Sequence, residues 1–243
     1  MPNWCWTQYN FHGNEEDISK LKNLLDICTS KEYIDTGFGK EWLGNVLYEI
    51  GEGDKINNDH NDLEHRCRGR LYYNNDYDIN TPTLLMLETE TAWDVMPEMW
   101  DLVIRKLNLE SVTYSYHAEE PGNEYYVKHN APGFNDFTDE VYIDALGESI
   151  YLKYISDRLR SQGKRVYKKD VILDEKLSEL SDTPYLTRVE AVKALNKFFD
   201  TDYNDISDFT ELIRKFNKRQ QRRYDKKTHF PYRFLFVNKI KEV

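Results

Sequence analysis

The chain has 243 residues, of which 40% are hydrophobic and 14% aromatic, enough to bury a core in one large domain or two small ones. It has no run of about 18 apolar residues, and its first residues lack the basic and apolar regions of a signal peptide, so the sequence predicts a soluble cytoplasmic protein and argues against a membrane or secreted one. Three cysteines, an odd and sparse set, favour reduced thiols over a disulfide framework.

The formal net charge of −10 conceals two regions of opposite sign. Residues 211–243 contain 11 Lys and Arg against 3 Asp and Glu, whereas residues 1–210 contain 22 against 40. An acidic body is therefore followed by a basic stretch. One interpretation of this pattern is that it provides solubility and intramolecular charge pairing. The alternative is that two surfaces bind partners of different charge.

The chain opens with the pattern of a strand followed by helices. Residues 4–11 are rich in aromatic and β-forming side chains, and Asn14 can cap a helix whose first turn is acidic. A short second helix is predicted over residues 41–50, ended by Gly51. The polar residues 51–65 then predict an exposed loop.

Two further strands are predicted at residues 70–73 and 83–91. In the second of these, the apolar side chains should face a core while Met86, Glu88 and Glu90 point away from it. The alternation predicts a sheet with one covered face.

The stretch TETAWDVMPEMW predicts a corner at which this strand leads into a helix. Asp94 can cap the helix, Pro97 is tolerated in its first turn, and Asn108 can end it. Trp93 and Trp100 are interpreted as rings that anchor the corner in a core.

A hairpin over residues 112–129 follows, with Pro121-Gly122 as the central pair of a type II turn. The resulting order is β-α-(α)-β-β-α-β-β. We therefore predict an α+β fold for residues 1–135: a ferredoxin-like sandwich, or split βαβ, with an inserted helix and an extra strand, and with its helices on one sheet face.

Residues 136–243 are predicted as a mainly helical region with a basic C-terminal end. A strand candidate lies near residue 141, and helices are predicted over residues 150–159 and 171–180. Thr187 with Glu190, and Asp208 with Glu211, resemble the capping boxes of two more helices. A strand-like stretch at residues 230–240 follows, and two capped helices before a strand also allow a winged-helix interpretation.

The first half resembles a known family on five short motifs: PNWC at residues 2–5, WLGN at 42–45, CRG at 67–69, TETAWDVMPEMW at 89–100 and AEEPG at 118–122. Their order and spacing are similar to those of the YubB-type ferredoxin-like domain family, largely uncharacterised proteins carried by phages, plasmids and other mobile elements. The resemblance implies a ferredoxin-like fold, a mobile-element origin and a bacterial host cell. It supplies no catalytic residues, and it does not extend past residue 150.

The sequence contains no catalytic signature, and we predict no metal or cofactor. His60, His65 and Cys67 offer donor atoms but lack the paired spacings of a structural zinc site. His117 and Glu119 would share one face of a strand, where a carboxylate can orient an imidazole as a general base, but no nucleophile motif accompanies them. Strand-end packing is the competing interpretation.

Two charged surfaces are the candidate binding sites. The nucleic-acid candidate is a basic helix with residues that can neutralise phosphates: Arg214, Lys215, Lys218, Arg219, Arg222, Arg223, Lys226 and Lys227. The protein-binding candidate is a pair of acidic loops that could occupy a cationic nucleic-acid channel of another protein: Asp54, Asp59, Asp62, Glu64, Asp76 and Asp78.

These features favour a non-enzymatic accessory protein that acts by stoichiometric binding to a host protein, for example as an anti-CRISPR-like inhibitor of a nucleic-acid-directed defence. The first alternative is a DNA- or RNA-binding or regulatory protein that uses the basic helix, residues 211–227. The second alternative is an enzyme that uses His117 and Glu119. We predict no membrane partner from the composition, and the sequence does not define an oligomeric state.

Overall fold

A computed structural model describes residues 3–57, 62–73, 80–147, 168–225 and 233–243. The chain divides into two compact units: unit 1 comprises residues 1–137 and 241–243, and unit 2 comprises residues 138–240. Both contain helices and strands, so the fold class is mixed α+β, as predicted.

Unit 1 is built on a six-stranded sheet of order β2-β3-β1-β4-β5-β9. All neighbouring strands are antiparallel except β5 and β9. The strands are β1 (Trp4–His12), β2 (Gly69–Tyr72), β3 (Leu84–Ala92), β4 (Thr113–Glu120), β5 (Tyr125–His129) and β9 (Lys241–Glu242).

The helices α1 (Glu15–Ser30) and α3 (Pro97–Lys106) supply core residues to one face of this sheet, and α2 (Gly44–Glu49) packs beside α1. Alternate residues of β1, such as Tyr9 and Phe11, point into the core, where both rings contact Trp100. Directly paired residues share a face, so the other face carries Trp6, Gln8 and their cross-strand partners. The predicted alternation in β3 is therefore confirmed.

Several local predictions in unit 1 are confirmed. The Asn14 side chain accepts a hydrogen bond from the Asp17 backbone N–H, which caps α1. Gly51 and Asn108 adopt the left-handed conformation just past the ends of α2 and α3, and Pro97 begins α3. Trp100 is buried, as the corner interpretation requires.

Other predictions in unit 1 are wrong. Asp94 does not cap α3, because its carboxylate instead accepts a hydrogen bond from Arg66 at 2.8 Å. Pro121 and Gly122 lie in a 3₁₀ turn, Pro121–Asn123, not at the centre of a type II turn. Trp93 is 42% exposed, so it does not anchor the core. The predicted second helix is split into a 3₁₀ turn, Gly39–Glu41, and α2.

Unit 2 contains a three-stranded antiparallel sheet of order β7-β6-β8, formed by β6 (Val141–Gly147), β7 (Tyr185–Leu186) and β8 (Arg233–Lys239). Its described helices are α4 (Lys168–Ser181), α5 (Arg188–Phe199) and α6 (Thr210–Asp225). They pack around a second core that includes Leu195, Phe209, Phe216 and Leu235.

The strand candidates near residue 141 and at residues 230–240 are confirmed as β6 and β8. The description of the region as mainly helical is incomplete, because it does not include β7 or the pairing of the three strands in a sheet. The capping box of Thr187 and Glu190 is confirmed at the start of α5. The second one is displaced: Asp205 and Asp208 form it, before a 3₁₀ turn at Ile206–Phe209 that leads into α6. The helix predicted over residues 150–159 lies outside the described residues.

Candidate nucleic-acid interface

Helix α6 has one inward face and one outward face. Leu212 and Ile213 are half-buried against the core, and Phe216 and Gln220 are buried. The outward face repeats at three- and four-residue spacing, the periodicity of one side of a helix. Its exposed charged residues are Glu211, Arg214, Lys215, Lys218, Arg219 and Arg222, and Gln221 is exposed beside them.

The inward face fixes α6 in place. Phe216 packs edge-on against Phe198 of α5, with ring centroids 5.7 Å apart. The Asn217 side chain bonds both backbone groups of Leu235 in β8: its amide donates to the carbonyl oxygen at 2.9 Å, and its oxygen accepts from the N–H at 2.8 Å. The helix is therefore held by a strand on one side and by an aromatic contact on another. These contacts fix the orientation of its outward face.

The charges on the outward face are mostly uncompensated. Arg214 forms two hydrogen bonds of 2.7 Å with Glu211, and these lower the pKa of Glu211 to about 2. Lys215 also lies 3.5 Å from that carboxylate. Within the described parts of the chain, no carboxylate lies within ion-pair distance of Lys218, Arg219 or Arg222. Among its described side chains, the exposed face thus carries five cations and one carboxylate.

Three of the eight predicted basic residues cannot be placed in this face. Arg223 belongs to α6, but its side chain lies outside the described part, and Lys226 and Lys227 lie outside the described residues altogether. The other five lie side by side along about 12 Å of the helix axis, at about 1.5 Å of rise per residue. Duplex DNA carries about one negative charge per 1.7 Å of axis when both strands are counted, so five cations over this length meet enough phosphate charge to be neutralised.

The acidic loops of unit 1 are only partly available as a binding surface. Asp54 is exposed. Asp62 bonds His65 at 2.9 Å, and Glu64 bonds Arg105 at 2.9 Å, so both carboxylates already have cationic or imidazole partners. Asp59, Asp76 and Asp78 lie outside the described residues.

A buried carboxylate organises this region. Glu52 is 4% exposed and contacts Lys106, Lys55 and His65. Hydrogen bonds from these three groups, that from Lys106 foremost, lower the pKa of Glu52 to about 2. Burial acts to lower the pKa of His65, but its hydrogen bonds to Asp62 and Glu52 outweigh burial and raise it. The loop is a structural ion-pair network.

His117 and Glu119 lie on the sheet face turned away from α1 and α3, opposite Gln8 and Trp6 of β1. They share a face as predicted. His117 is 6% exposed, and burial together with the nearby Lys128 lowers its pKa to about 4, so the imidazole is neutral near pH 7.

The described residues offer neither a reactive thiol nor a metal centre to accompany this histidine. Cys5, Cys28 and Cys67 are buried, and burial raises each thiol pKa to about 12. His65 and Cys67 do not converge with other donors: in the part of the chain that the structure describes, no group of three His, Cys, Asp or Glu side chains is placed to hold a metal ion. His60 lies outside it.

Two features escaped prediction from the sequence. One is the Asn217 clamp on β8, which depends on a strand 18 residues away. The other is an exposed aromatic patch in unit 1 formed by Trp4, Phe38 and Trp93 with Arg68 and Arg70. Exposed rings in a chain so rich in aromatics give no sequence signal that separates them from core rings.

Among the helices of the described ranges, none is long and apolar enough to cross a membrane. A scan against protein-family models finds no match for this chain, and searches of curated proteins and of solved structures find none either.

Proposed function

We propose that this protein acts by binding rather than by catalysis, and that its partner is nucleic acid contacted through the outward face of α6. The observation that carries the proposal is the single exposed helical face with five cations, three of which have no carboxylate at ion-pair distance among the described residues. Such a face supplies the phosphate contacts that dominate affinity for nucleic acid.

The order of elements in unit 2 supports this role. In the chain, α4, β7, α5, α6 and β8 follow one another, and β6 lies between β7 and β8 in the sheet. A helix pair beside a small antiparallel sheet resembles the winged-helix arrangement, although here the central strand comes first in the chain. The second helix of the pair is the one that enters a groove in helix-turn-helix proteins, and in this chain that helix is α6.

Unit 1 serves as a scaffold in this proposal. Its strand order β2-β3-β1-β4, with α1 after β1 and α3 after β3, is consistent with the ferredoxin-like interpretation and with the family resemblance. An accessory role in a phage or another mobile element follows from that resemblance alone. Inhibition of a host defence protein through the acidic loops stays a prediction, supported among the described loop residues by exposed Asp54.

The test uses the full chain and a fluorescent 20-base-pair duplex in an anisotropy titration. One variant combines Lys218→Ala, Arg219→Ala and Arg222→Ala. The matched control combines Lys193→Ala, Lys239→Ala and Lys241→Ala, which removes the same charge from exposed positions on α5, β8 and β9.

We expect the α6 variant to bind at least about 10-fold more weakly at low salt than the control, because each phosphate contact contributes to the affinity. Equal weakening by the two variants would show that net charge matters and the α6 face does not. No duplex or single-strand binding by the wild type at low salt would overturn the proposal.

A further inference from the structure

The exposed aromatic patch of unit 1 combines rings with guanidinium groups. Trp4 and Phe38 meet edge to face, with centroids 6.1 Å apart. The Arg70 guanidinium lies 5.7 Å from the centre of the Phe38 ring, and the Arg68 guanidinium lies 5.2 Å from that of Trp93. Trp4 is 36% exposed and Trp93 is 42% exposed. Trp4 and Trp93 are therefore not part of the core, whereas Phe38 is partly buried and packs against it.

Sheet register explains how these residues come together. Trp4 pairs with Ala92 in β3, and the Ala92 N–H donates to the Arg68 carbonyl oxygen, so Arg68, Ala92 and Trp4 stand in one row across the sheet. Trp93 follows Ala92, and its N–H donates to the Asn3 carbonyl oxygen at 2.9 Å. The patch is thus built on three adjacent strands.

The backbone at Trp93 is strained. Its φ angle is 73°, in the left-handed region that a bulky residue rarely adopts and that glycine adopts without penalty. A tryptophan at this position has an unfavourable backbone conformation, and full burial of its ring does not offset that cost. Strain of this kind at an exposed residue points to a role in contacting a ligand.

We infer that this patch stacks on unpaired bases of single-stranded nucleic acid, with Arg68 reaching an adjoining phosphate. The inference rests on the proposed nucleic-acid function and adds a second contact surface to it. Exposed rings beside arginines are the combination that single-strand-binding proteins use, since every base presents a π-face.

Charge favours this ligand over a cationic one. No carboxylate in the described ranges lies within ion-pair distance of Arg68, and Asp94 is bonded to Arg66 instead. The Arg70 guanidinium already has partners: it is hydrogen-bonded to Tyr72, lies 3.9 Å from exposed Glu41 and stands opposite Glu90 in the sheet. Arg68 is therefore the guanidinium that remains available to a phosphate oxygen.

The experiment titrates the full chain with deoxyuridine and uridine decamers, which differ only in the sugar, and with the 20-base-pair duplex, following anisotropy and the quenching of tryptophan fluorescence. The variants are Trp93→Ala, Trp93→Phe and Arg68→Ala. Phe134→Ala is the matched control, because Phe134 is an aromatic residue of unit 1 that is also 42% exposed. The α6 triple variant is titrated in parallel.

Loss of one stacked base should weaken decamer binding by Trp93→Ala about 10-fold, while duplex affinity changes less than about 2-fold. Trp93→Phe should restore most of the affinity, and Phe134→Ala should bind like the wild type. Stacking with either decamer supports the inference, and the tighter decamer identifies the sugar.

The two proposals fail in different ways. Duplex binding that depends on α6, combined with decamer binding that is unchanged in Trp93→Ala, overturns the base-stacking inference alone. Decamer binding that Trp93→Ala weakens, in a protein that does not bind duplex through α6, overturns the proposed role of α6 and supports the stacking inference. Equal loss of decamer and duplex affinity in Trp93→Ala also contradicts the inference, because the patch would then not select unpaired bases.

Discussion

The Trp100→Ala substitution tests whether the corner after β3 is held by a buried ring. Trp100 is 1% exposed and contacts two core rings, Tyr9 at 5.8 Å and Phe11 at 5.2 Å between centroids. A buried indole removes on the order of 200 Å² of surface from water. At about 25 cal/mol per Å² this burial is worth about 5 kcal/mol. Tryptophan-to-alanine changes in cores cost about 3–5 kcal/mol, so we expect a loss of about 4 kcal/mol.

Urea denaturation followed by far-ultraviolet circular dichroism measures this loss as a fall in the midpoint at an unchanged slope. Trp93→Ala is the companion variant. It should cost about 1 kcal/mol, the typical value for a single substitution, because its exposed ring leaves no enclosed cavity. A Trp100→Ala loss below about 1 kcal/mol would refute the packing argument.

Three more outcomes follow from contacts outside that corner. Asn217→Ala should lower the free energy of unfolding by about 1–3 kcal/mol in urea titrations, since it removes two hydrogen bonds to β8; a neutral effect contradicts the clamp. The pKa of Glu52 is about 2 in the folded state against an ordinary 4.5, so this carboxylate stabilises the fold above pH 4.5 and loses that effect as the pH falls toward 2. In thermal melts, the difference in melting temperature between the wild type and Glu52→Gln should therefore become smaller as the pH falls over that range. A difference that does not change with pH argues against the network. The three buried thiols should react with a thiol reagent only after unfolding, and rapid labelling of the native protein contradicts their burial.

Local signals in the sequence predicted local structure well. The period-two alternation of β3 placed Glu88 and Glu90 on the face away from the core, because strand geometry alone fixes that pattern. Asn14 and Thr187 cap their helices through hydrogen bonds that span three residues. Predictions of this kind need no knowledge of the rest of the fold.

Contacts between distant segments account for the predictions that were wrong. From the sequence, Asp94 could cap the helix, but Arg66, 28 residues earlier, donates a hydrogen bond to its carboxylate. Trp93 is exposed at a left-handed position, where its backbone N–H donates a hydrogen bond to the carbonyl oxygen of the distant Asn3. In the sheet of unit 2, β6 pairs with β8, and almost the whole sequence of the unit lies between these two strands. A local sequence pattern cannot predict a pairing between segments so far apart.

The basic stretch was recognisable from its composition, but its orientation was not. Whether Arg214 and Lys218 face solvent or close against other residues depends on which side of α6 Phe216 and Asn217 bury. The structure places the cations on the outward side. The sequence therefore predicted the charge of the candidate interface, and packing determined its availability.

The salt dependence of duplex binding is the most direct measurement of the central claim. A plot of the logarithm of the binding constant against the logarithm of the KCl concentration should have a slope of about −4 to −5 for the wild type, if the five exposed cations of α6 each neutralise one phosphate at about 0.9 per contact. Removing Lys218, Arg219 and Arg222 should make the slope shallower by about 3. A slope near zero, or a steep slope that these substitutions leave unchanged, would contradict the claim that α6 binds the phosphate backbone.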